Sequence, residues 1–246
     1  MESRKLFLWI VACVLLLNGC NYKEDIVVPQ DVIISIKSEP GIIVADGVSK
    51  SLITVRLPDK TLDTKRSIIL TTTKGLFEVE GKNTTTITAG NVVTPEGTQI
   101  IGYATLISSA DAGTATVKAA SGNFSRSVTI NFTTAFPDAI HLQVDKNNYK
   151  PDAASEVTVT IVLNRNIGTG TVSSGQTVTL SVVDSLNNPI GQFRNKILLT
   201  DASGKCVNYF SLPLNNTYLG KITATATTVN SANQTISDSA IITVIK

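Results

Sequence analysis

The chain has 246 residues, and 21 basic against 19 acidic side chains give it a formal net charge of +2. No long run of one sign occurs, so the sequence lacks the basic face by which proteins bind nucleic acid or anionic lipid. We therefore expect no nucleic-acid partner. The length suits two domains of ordinary size.

The first predicted segment is a signal peptide over residues 1–19. Arg4 and Lys5 give it a basic start, and an apolar run continues to Leu17, ahead of Asn18-Gly19-Cys20. The run is too short to span a membrane comfortably, as is typical of a secretory signal. Residues 17–20 resemble the lipobox of bacterial lipoproteins. The resemblance implies that Cys20 is lipidated (palmitate among its acyl chains), begins the exported chain and anchors it to a membrane.

Residues 20–30 are predicted to form a solvated, flexible tether behind this anchor. Asn21 differs from the aspartate that retains lipoproteins at the inner membrane, and Lys23-Glu24-Asp25 resembles the export signal of some Gram-negative lipoproteins. The resemblance implies an outer-membrane protein that is lipid-anchored and exposed at the cell surface. The alternative is that these charges only solvate the tether and that the protein faces the periplasm.

One cysteine remains for the folded part of the exported chain. Cys13 leaves with the signal peptide and Cys20 carries the lipid, so Cys206 cannot form an internal disulfide. Polar and apolar residues alternate around Cys206, which predicts a small core residue on a strand. His141 is the only histidine, so too few ligands remain for a zinc site.

From residue 31 onward the pattern is typical of an all-β protein. Val, Ile and Thr alternate with polar residues between short segments rich in Gly, Asn, Asp and Pro. The first set of predicted strands covers residues 32–37, 50–57, 66–73, 84–89, 98–108, 113–120 and 124–133. The second set covers residues 139–145, 155–164, 175–184, 195–200, 204–212, 219–228 and 235–245.

The two sets repeat one another. Residues 113–120 match residues 220–227 at an offset of 107, and residues 51–57 align with residues 156–162. Seven short strands per unit predict an immunoglobulin-like β-sandwich, in which two sheets bury their apolar faces against each other. We predict two tandem domains, residues 31–135 and 136–246, joined by a short connector that Pro137 stiffens.

Turn motifs relate these units to a family. Ala45-Asp46-Gly47 precedes a Thr/Val strand, and residues 200–204 form a Thr-Asp-Ala-x-Gly turn before another strand. Asn188-Pro189 occurs in the second unit only. In these features the chain resembles the bacterial immunoglobulin-like domains of the invasin and intimin adhesins. The resemblance implies a fold and leaves the ligand open.

We find no arrangement of residues that predicts an enzyme or a cofactor. No Gly-x-Ser-x-Gly motif occurs, and His141 lies in a strand pattern without a neighbouring nucleophile. Glu78 and Glu80 are predicted to share one strand face, and Asp138, Asp145 and Asp152 to lie around the domain joint, without the spacing of a calcium loop. The glycine-rich residues 168–175 are predicted to form a hairpin connection, since a strand follows them.

Four residues are candidates for binding or modification. Tyr149 and Tyr218 are the loop aromatics best placed to contact a ligand, although each could instead cover the end of a sandwich core. Ser185 and Ser239 lie in Asp-Ser-apolar triplets, a short pattern that some Gram-negative bacteria O-glycosylate.

These observations favour a non-enzymatic cell-surface lipoprotein, adhesin-like or structural, that presents two immunoglobulin-like domains to a host, cell-surface or glycan ligand. Two alternatives stay open. One is a carbohydrate-binding accessory lipoprotein of an outer-membrane uptake system, and the other is a spacer or assembly subunit.

Overall fold

A computed structural model describes residues 33–152 and 155–246, in which strands dominate and one short 3-10 turn, Asp63–Lys65, occurs. The signal peptide, Cys20 and the tether lie outside the described residues. Alternation along the sequence determines which side of each strand is buried. In the strand Lys50–Leu57, for example, Ser51, Ile53, Val55 and Leu57 have no exposed surface, because they all point to the same side.

The first half of the described chain forms two sheets. Its strands are β1 (Ser35–Glu39), β2 (Ile42–Ala45), β3 (Lys50–Leu57), β4 (Ser67–Thr72), β5 (Leu76–Phe77), β6 (Thr84–Thr88), β7 (Gly90–Thr94), β8 (Gly97–Ile107), β9 (Gly113–Ser121) and β10 (Phe124–Thr134). One sheet has the order β1-β3-β8-β5, with β7 also paired to β8, and the other has the order β2-β10-β9-β4-β6. Only the β2–β10 pair is parallel.

The second half repeats this arrangement. Its strands are β11 (Ala139–Val144), β12 (Asn148–Tyr149), β13 (Val157–Asn164), β14 (Thr177–Asp184), β15 (Gln192–Phe193), β16 (Ile197–Leu199), β17 (Lys205–Ser211), β18 (Gly220–Val229) and β19 (Thr235–Val244). The sheets have the orders β11-β13-β17-β15 and β12-β19-β18-β14-β16. Strand for strand these match the first half, and β7 alone has no counterpart among the described strands.

Strand pairing confirms one repeat alignment and corrects the other. Gly113 pairs with Phe132 and Gly220 with Val244, at corresponding positions, so the offset of 107 is right. The alignment of residues 51–57 with 156–162 is wrong by one residue. The buried positions of β13 are Val157, Val159, Ile161 and Leu163, which correspond to those of β3 at an offset of 106. A one-residue slip would exchange the core and solvent faces.

Each pair of sheets encloses its own apolar core. The first core includes Ile53, Leu70 and Phe132, and the second includes Ile161, Phe210 and Ile242. Both draw residues from two facing sheets, as in immunoglobulin-like sandwiches. The predicted all-β class with two tandem sandwiches is confirmed. Residues 135–138 connect β10 to β11.

Candidate functional site

Polar side chains of the sandwiches mostly serve the fold. Across residues 33–152 and 155–246, no three His, Cys, Asp or Glu side chains are grouped so that they could hold a metal ion, and no helix is long and apolar enough to cross a membrane. His141 Nδ1 lies 3.3 Å from Asp238 Oδ2, which also accepts a hydrogen bond from the Leu142 amide at 2.8 Å. That amide is the main reason why the pKa of Asp238 is lowered. The contact joins β11 to β19.

Asp138, Asp145 and Asp152 were predicted to lie around the domain joint, and this prediction is wrong for Asp145 and Asp152. Asp138 precedes β11 and accepts a bond from the Asn166 amide at 2.9 Å, whereas Asp145 follows β11 and accepts one from the Thr158 amide at 2.9 Å. They therefore lie at opposite ends of the sandwich, and Asp152 lies at the same end as Asp145. In the first half, Glu78 and Glu80 are on a turn after β5 rather than on a strand, and Glu78 is ion-paired with Lys50.

Tyr149 is a core residue, which corrects its prediction as a ligand contact. It has no exposed surface, and its ring packs against Phe210 with 6.1 Å between the ring centres. Its hydroxyl donates to the Ser155 carbonyl at 2.9 Å and accepts from the Leu212 amide at 3.2 Å. A sugar has no face of this ring on which to stack.

Tyr218 is half-buried and partly available. Its hydroxyl donates to the Lys221 carbonyl at 2.6 Å and accepts from the Ser185 amide at 3.4 Å, while its ring packs against the edge of the second core. Ser185 and Ser239 are both exposed, on the turn after β14 and on β19 respectively. Their O-glycosylation stays a prediction.

Cys206 is buried on β17, as predicted. Burial raises the pKa of its thiol to about 11, and the negative charge of Asp201 acts in the same direction. Since the thiolate is the nucleophile of cysteine chemistry, this thiol is inert near neutral pH.

The connection from β13 to β14, residues 165–176, forms the joint between the sandwiches. Its residues 168–175 were predicted to form a hairpin connection, but β13 and β14 belong to different sheets. Arg165 Nη1 reaches Asp46 Oδ2 at 3.2 Å, and both side chains are largely buried. The Thr171 amide donates to the Asp46 carbonyl at 2.8 Å. Gly170 has a φ of +77°, and a Cβ there would lie 2.4 Å from that carbonyl oxygen, so only glycine fits.

Ser173 and Ser174 complete the joint. The Ser173 hydroxyl donates to the Ala45 carbonyl and accepts from the Ala135 amide, both at 2.8 Å, and Ser173 has no exposed surface. The Ser174 amide donates to the Ala110 carbonyl at 2.9 Å. These bonds connect the second sandwich to three separate segments of the first.

The end of the second sandwich opposite the joint, here called the distal end, carries the candidate binding surface. It consists of residues 150–152, 155, 212–219, 245 and 246. A depression of about 350 Å³ is lined by Leu214, Tyr218, Leu219, Ile245 and Lys150, among others. A second, more polar depression of about 460 Å³ includes Asp152 and shares Leu214.

Three exposed aliphatic side chains lie together at the distal end. The exposed fractions are 69% for Leu214, 51% for Leu219 and 43% for Ile245. Apolar groups that cluster in a concave surface favour ligand binding, whereas the same groups scattered singly would need no explanation. The sequence predicts Tyr218 as a candidate contact but not these aliphatic residues, because they resemble core residues in a strand-rich sequence.

No protein-family model matches the chain, and no curated protein matches it in sequence. Among solved structures, the adhesin InvE of Yersinia pseudotuberculosis is similar, with a TM-score of 0.54 and 18% sequence identity over 86% of this chain and 58% of that one. InvD of the same species gives a TM-score of 0.44 and 17% sequence identity, over 88% of this chain and 57% of that one. The D0–D1 domains of intimin give a TM-score of 0.32 and 15% sequence identity, over 85% of this chain and 98% of that one.

The chain spans somewhat more than half the length of the InvE and InvD chains. The match to InvE has a TM-score above 0.5, and at such low identity it shows the fold and nothing further. The resemblance to adhesin domains is therefore confirmed at the level of the fold: residues 33–152 and 155–246 form tandem immunoglobulin-like sandwiches, and this fold is similar to that of the adhesin InvE.

Proposed function

We propose that the protein is a non-enzymatic, adhesin-like cell-surface lipoprotein that presents its distal end to a binding partner. The observation that carries the proposal is the exposed, concave aliphatic surface at the end of the second sandwich opposite the joint. The described chain begins at the end of the first sandwich that lies away from the joint, since Ser35 pairs with Arg56 near the far end of β3. The fold similarity to an adhesin supports this function by analogy.

The membrane anchor in this proposal is Cys20, and the location is the outer membrane. Residues 17–20 support lipidation, and the absence of aspartate at position 21 supports release from the inner membrane. More than one acyl chain gives stable anchoring, because each buried methylene contributes ~0.8 kcal/mol.

Replacing Cys20 is the test of the anchor. We expect Cys20→Ala to abolish incorporation of radiolabelled palmitate and to leave an uncleaved precursor. Cys206→Ala is the matched control and should incorporate the label like the wild type, since that thiol is buried. External protease should remove the wild-type protein from intact cells. Label in Cys20→Ala would contradict the anchor, and protection in intact but not in lysed cells would contradict surface display.

Carbohydrate binding is the second candidate function, and one observation favours it: the Tyr218 side chain lines the apolar depression. Under the adhesin proposal, we expect the purified ectodomain to bind nothing reproducibly on a glycan array. A glycan hit that Tyr218→Ala erases would overturn this expectation. Tyr103→Ala is the matched control, because Tyr103 is exposed on β8, far from the depression in sequence and on the other sandwich.

A further inference from the structure

We propose that β16, the edge strand of the second sandwich, pairs with β16 of a second copy of the chain, so that one continuous sheet joins the two molecules. The two strands are antiparallel and centred on Leu198. The inference goes beyond the proposed function, because it concerns a sheet edge and neither the distal end nor the anchor. It depends on the backbone groups of β16, on its exposed side chains and on the charges at its two ends.

β16 (Ile197–Leu199) has one side open for pairing. It is the last strand of its sheet, and β14 is its only neighbour among the described strands. The bonds to β14 involve even-numbered residues: the Lys196 carbonyl accepts a hydrogen bond at 2.9 Å, and the Thr200 amide donates one at 3.0 Å. Because bonded and non-bonded positions alternate in an antiparallel pair, the N–H and C=O groups of Ile197 and Leu199 point away from β14, to the open edge.

The same two residues carry exposed aliphatic side chains. The exposed fraction is 65% for Ile197 and 66% for Leu199, and both side chains lie on one face because the residues are two positions apart. Natural proteins usually protect an edge strand with a charge, a proline or a bulge. Residues 197–199 contain neither a charged residue nor a proline. This edge is therefore suited to pairing with another strand.

The duplication supplies a comparison for this edge. Leu70 on β4 is opposite Ala119, and Leu180 on β14 is opposite Ala226. Ala119 and Ala226 correspond at the offset of 107, so Leu70 and Leu180 occupy equivalent positions. β4 pairs with the edge strand β6 as β14 pairs with β16. The strands β6 and β16 are thus equivalent edges of the two sandwiches.

The two edges differ in their exposed side chains. In the register of these strand pairs, Thr86 and Thr88 of β6 occupy the positions of Ile197 and Leu199 in β16. Both threonines are exposed as well. The same positions thus carry hydroxyl groups in one sandwich and aliphatic groups in the other. The fold itself does not require aliphatic residues there, so their presence on β16 points to a contact outside the sandwich.

A second copy of the chain fits this edge, because β16 is complementary to itself. When two such strands run antiparallel around Leu198, Ile197 of each copy is opposite Leu199 of the other. Their free N–H and C=O groups then form two hydrogen-bonded pairs, and the aliphatic side chains lie beside each other on one face. A twofold axis relates the two copies, as in most protein dimers.

The charges at the ends of β16 favour the same arrangement. Lys196 precedes the strand and Asp201 follows it, and both are exposed. Antiparallel pairing places the Lys196 end of each copy beside the Asp201 end of the other, so that opposite charges meet at both ends. Parallel pairing would bring like charges together. The edge thus selects a strand with its own charge pattern in the reverse direction, which a second copy supplies.

Sedimentation equilibrium of the exported chain, residues 20–246 with Cys20→Ser, measures the association. We expect a monomer–dimer equilibrium at concentrations approaching millimolar. Ile197→Thr combined with Leu199→Thr, which gives β16 the side chains of β6, should weaken dimerisation at least tenfold. Ile69→Thr is the matched control: Ile69 is 49% exposed, but β6 and β9 flank it, so its replacement should leave dimerisation unchanged.

Disulfide formation tests the register of the pairing. Leu198 lies on the twofold axis, and its two copies form a non-hydrogen-bonded pair with Cα atoms about 4.5 Å apart, which a disulfide can bridge. In a background with Cys206→Ala, we expect Leu198→Cys to form a covalent dimer under mild oxidation. Ile87→Cys, at the equivalent position of β6, is the matched control and should remain monomeric.

A chain that stays monomeric at every concentration, a dimer that survives the two threonine replacements, or equal cross-linking at positions 198 and 87 would overturn the inference. A monomeric chain whose β16 amide resonances shift only with an unrelated extended peptide would assign the edge to a different partner and would overturn it too. None of these measurements depends on lipidation or on the distal end, so their failure leaves the tests of the proposed function unaffected.

Discussion

Replacing Asp46 by alanine is expected to lower the free energy of unfolding by about 3–5 kcal/mol, the cost of leaving one member of a buried ion pair without its partner. The same change removes the acceptor of bonds from the Val48 amide at 2.9 Å, the Ser49 amide at 2.7 Å and the Ser108 hydroxyl at 3.1 Å. One carboxylate thus holds both the turn after β2 and the joint. Urea titration followed by circular dichroism measures the loss, since the only tryptophan is Trp9.

Asp184→Ala is the matched control for that experiment. Asp184 accepts amide bonds from Leu186 at 2.8 Å and Asn188 at 2.9 Å in a similar turn, but in the second sandwich and away from the joint. Its replacement should lower the free energy of unfolding much less than that of Asp46, because these bonds lie at the exposed surface. A double replacement of Asp46 and Arg165 should cost less than the sum of the single ones, because the two share one interaction. Equal decreases in the free energy of unfolding for Asp46→Ala and Asp184→Ala would contradict the role of Asp46 in stabilising the joint.

The pH dependence of the joint follows from the hydrogen bonds of Asp46. Burial alone would raise its pKa, but the bonds from Val48, Ser49 and Ser108 outweigh burial, so the pKa is lowered. A carboxyl with a lowered pKa in the folded chain contributes stability above its unfolded pKa of about 3.9 and loses it as the pH falls through the folded value. The difference in the free energy of unfolding between the wild type and Asp46→Asn should thus be largest at pH 7 and decrease below about pH 4.

The sequence predicts the class and the duplication of this fold because both depend on local patterns. Alternation gives the long strands, and the match between residues 113–120 and 220–227 gives the repeat. The strands that were missed are β2 and β7, of four and five residues, and β5, β12 and β15, of two residues each. A strand of two residues shows no detectable periodicity in the sequence. Such a strand forms because a longer neighbouring strand in the sheet pairs with it.

The joint could not be predicted in the same way. Ala45-Asp46-Gly47 is recognisable as a motif, but the arginine that Asp46 binds is 119 residues away in sequence. Nothing around Arg165 marks it as a partner, and the glycines near it suggest only a turn. Tyr149 shows the converse error: its neighbours Asn147, Asn148 and Lys150 are typical of an exposed loop, yet β12 places the ring inside the core.

Tyr149 is the second position at which a large effect is expected. Because the ring is fully buried against Phe210, Tyr149→Ala should lower the free energy of unfolding by about 3–5 kcal/mol, as other large-to-small changes of buried aromatic residues do. Tyr149→Phe keeps the ring and removes only the hydroxyl. It leaves the Leu212 amide and the Ser155 carbonyl without their partner, which should cost about 1–3 kcal/mol.

Comparing these variants with Tyr218→Ala separates a core role from a ligand role. Tyr218 is only half-buried and its hydroxyl bonds are near the surface, so its replacement should cost less than that of Tyr149. Urea titrations of the three variants under one set of conditions measure their free energies of unfolding. We expect Tyr149→Ala to be the most destabilising, with Tyr149→Phe and Tyr218→Ala each less destabilising than Tyr149→Ala. If Tyr149→Ala kept wild-type stability while a ligand lost affinity, the ring would have to be accessible in solution, and its assignment to the core would be wrong.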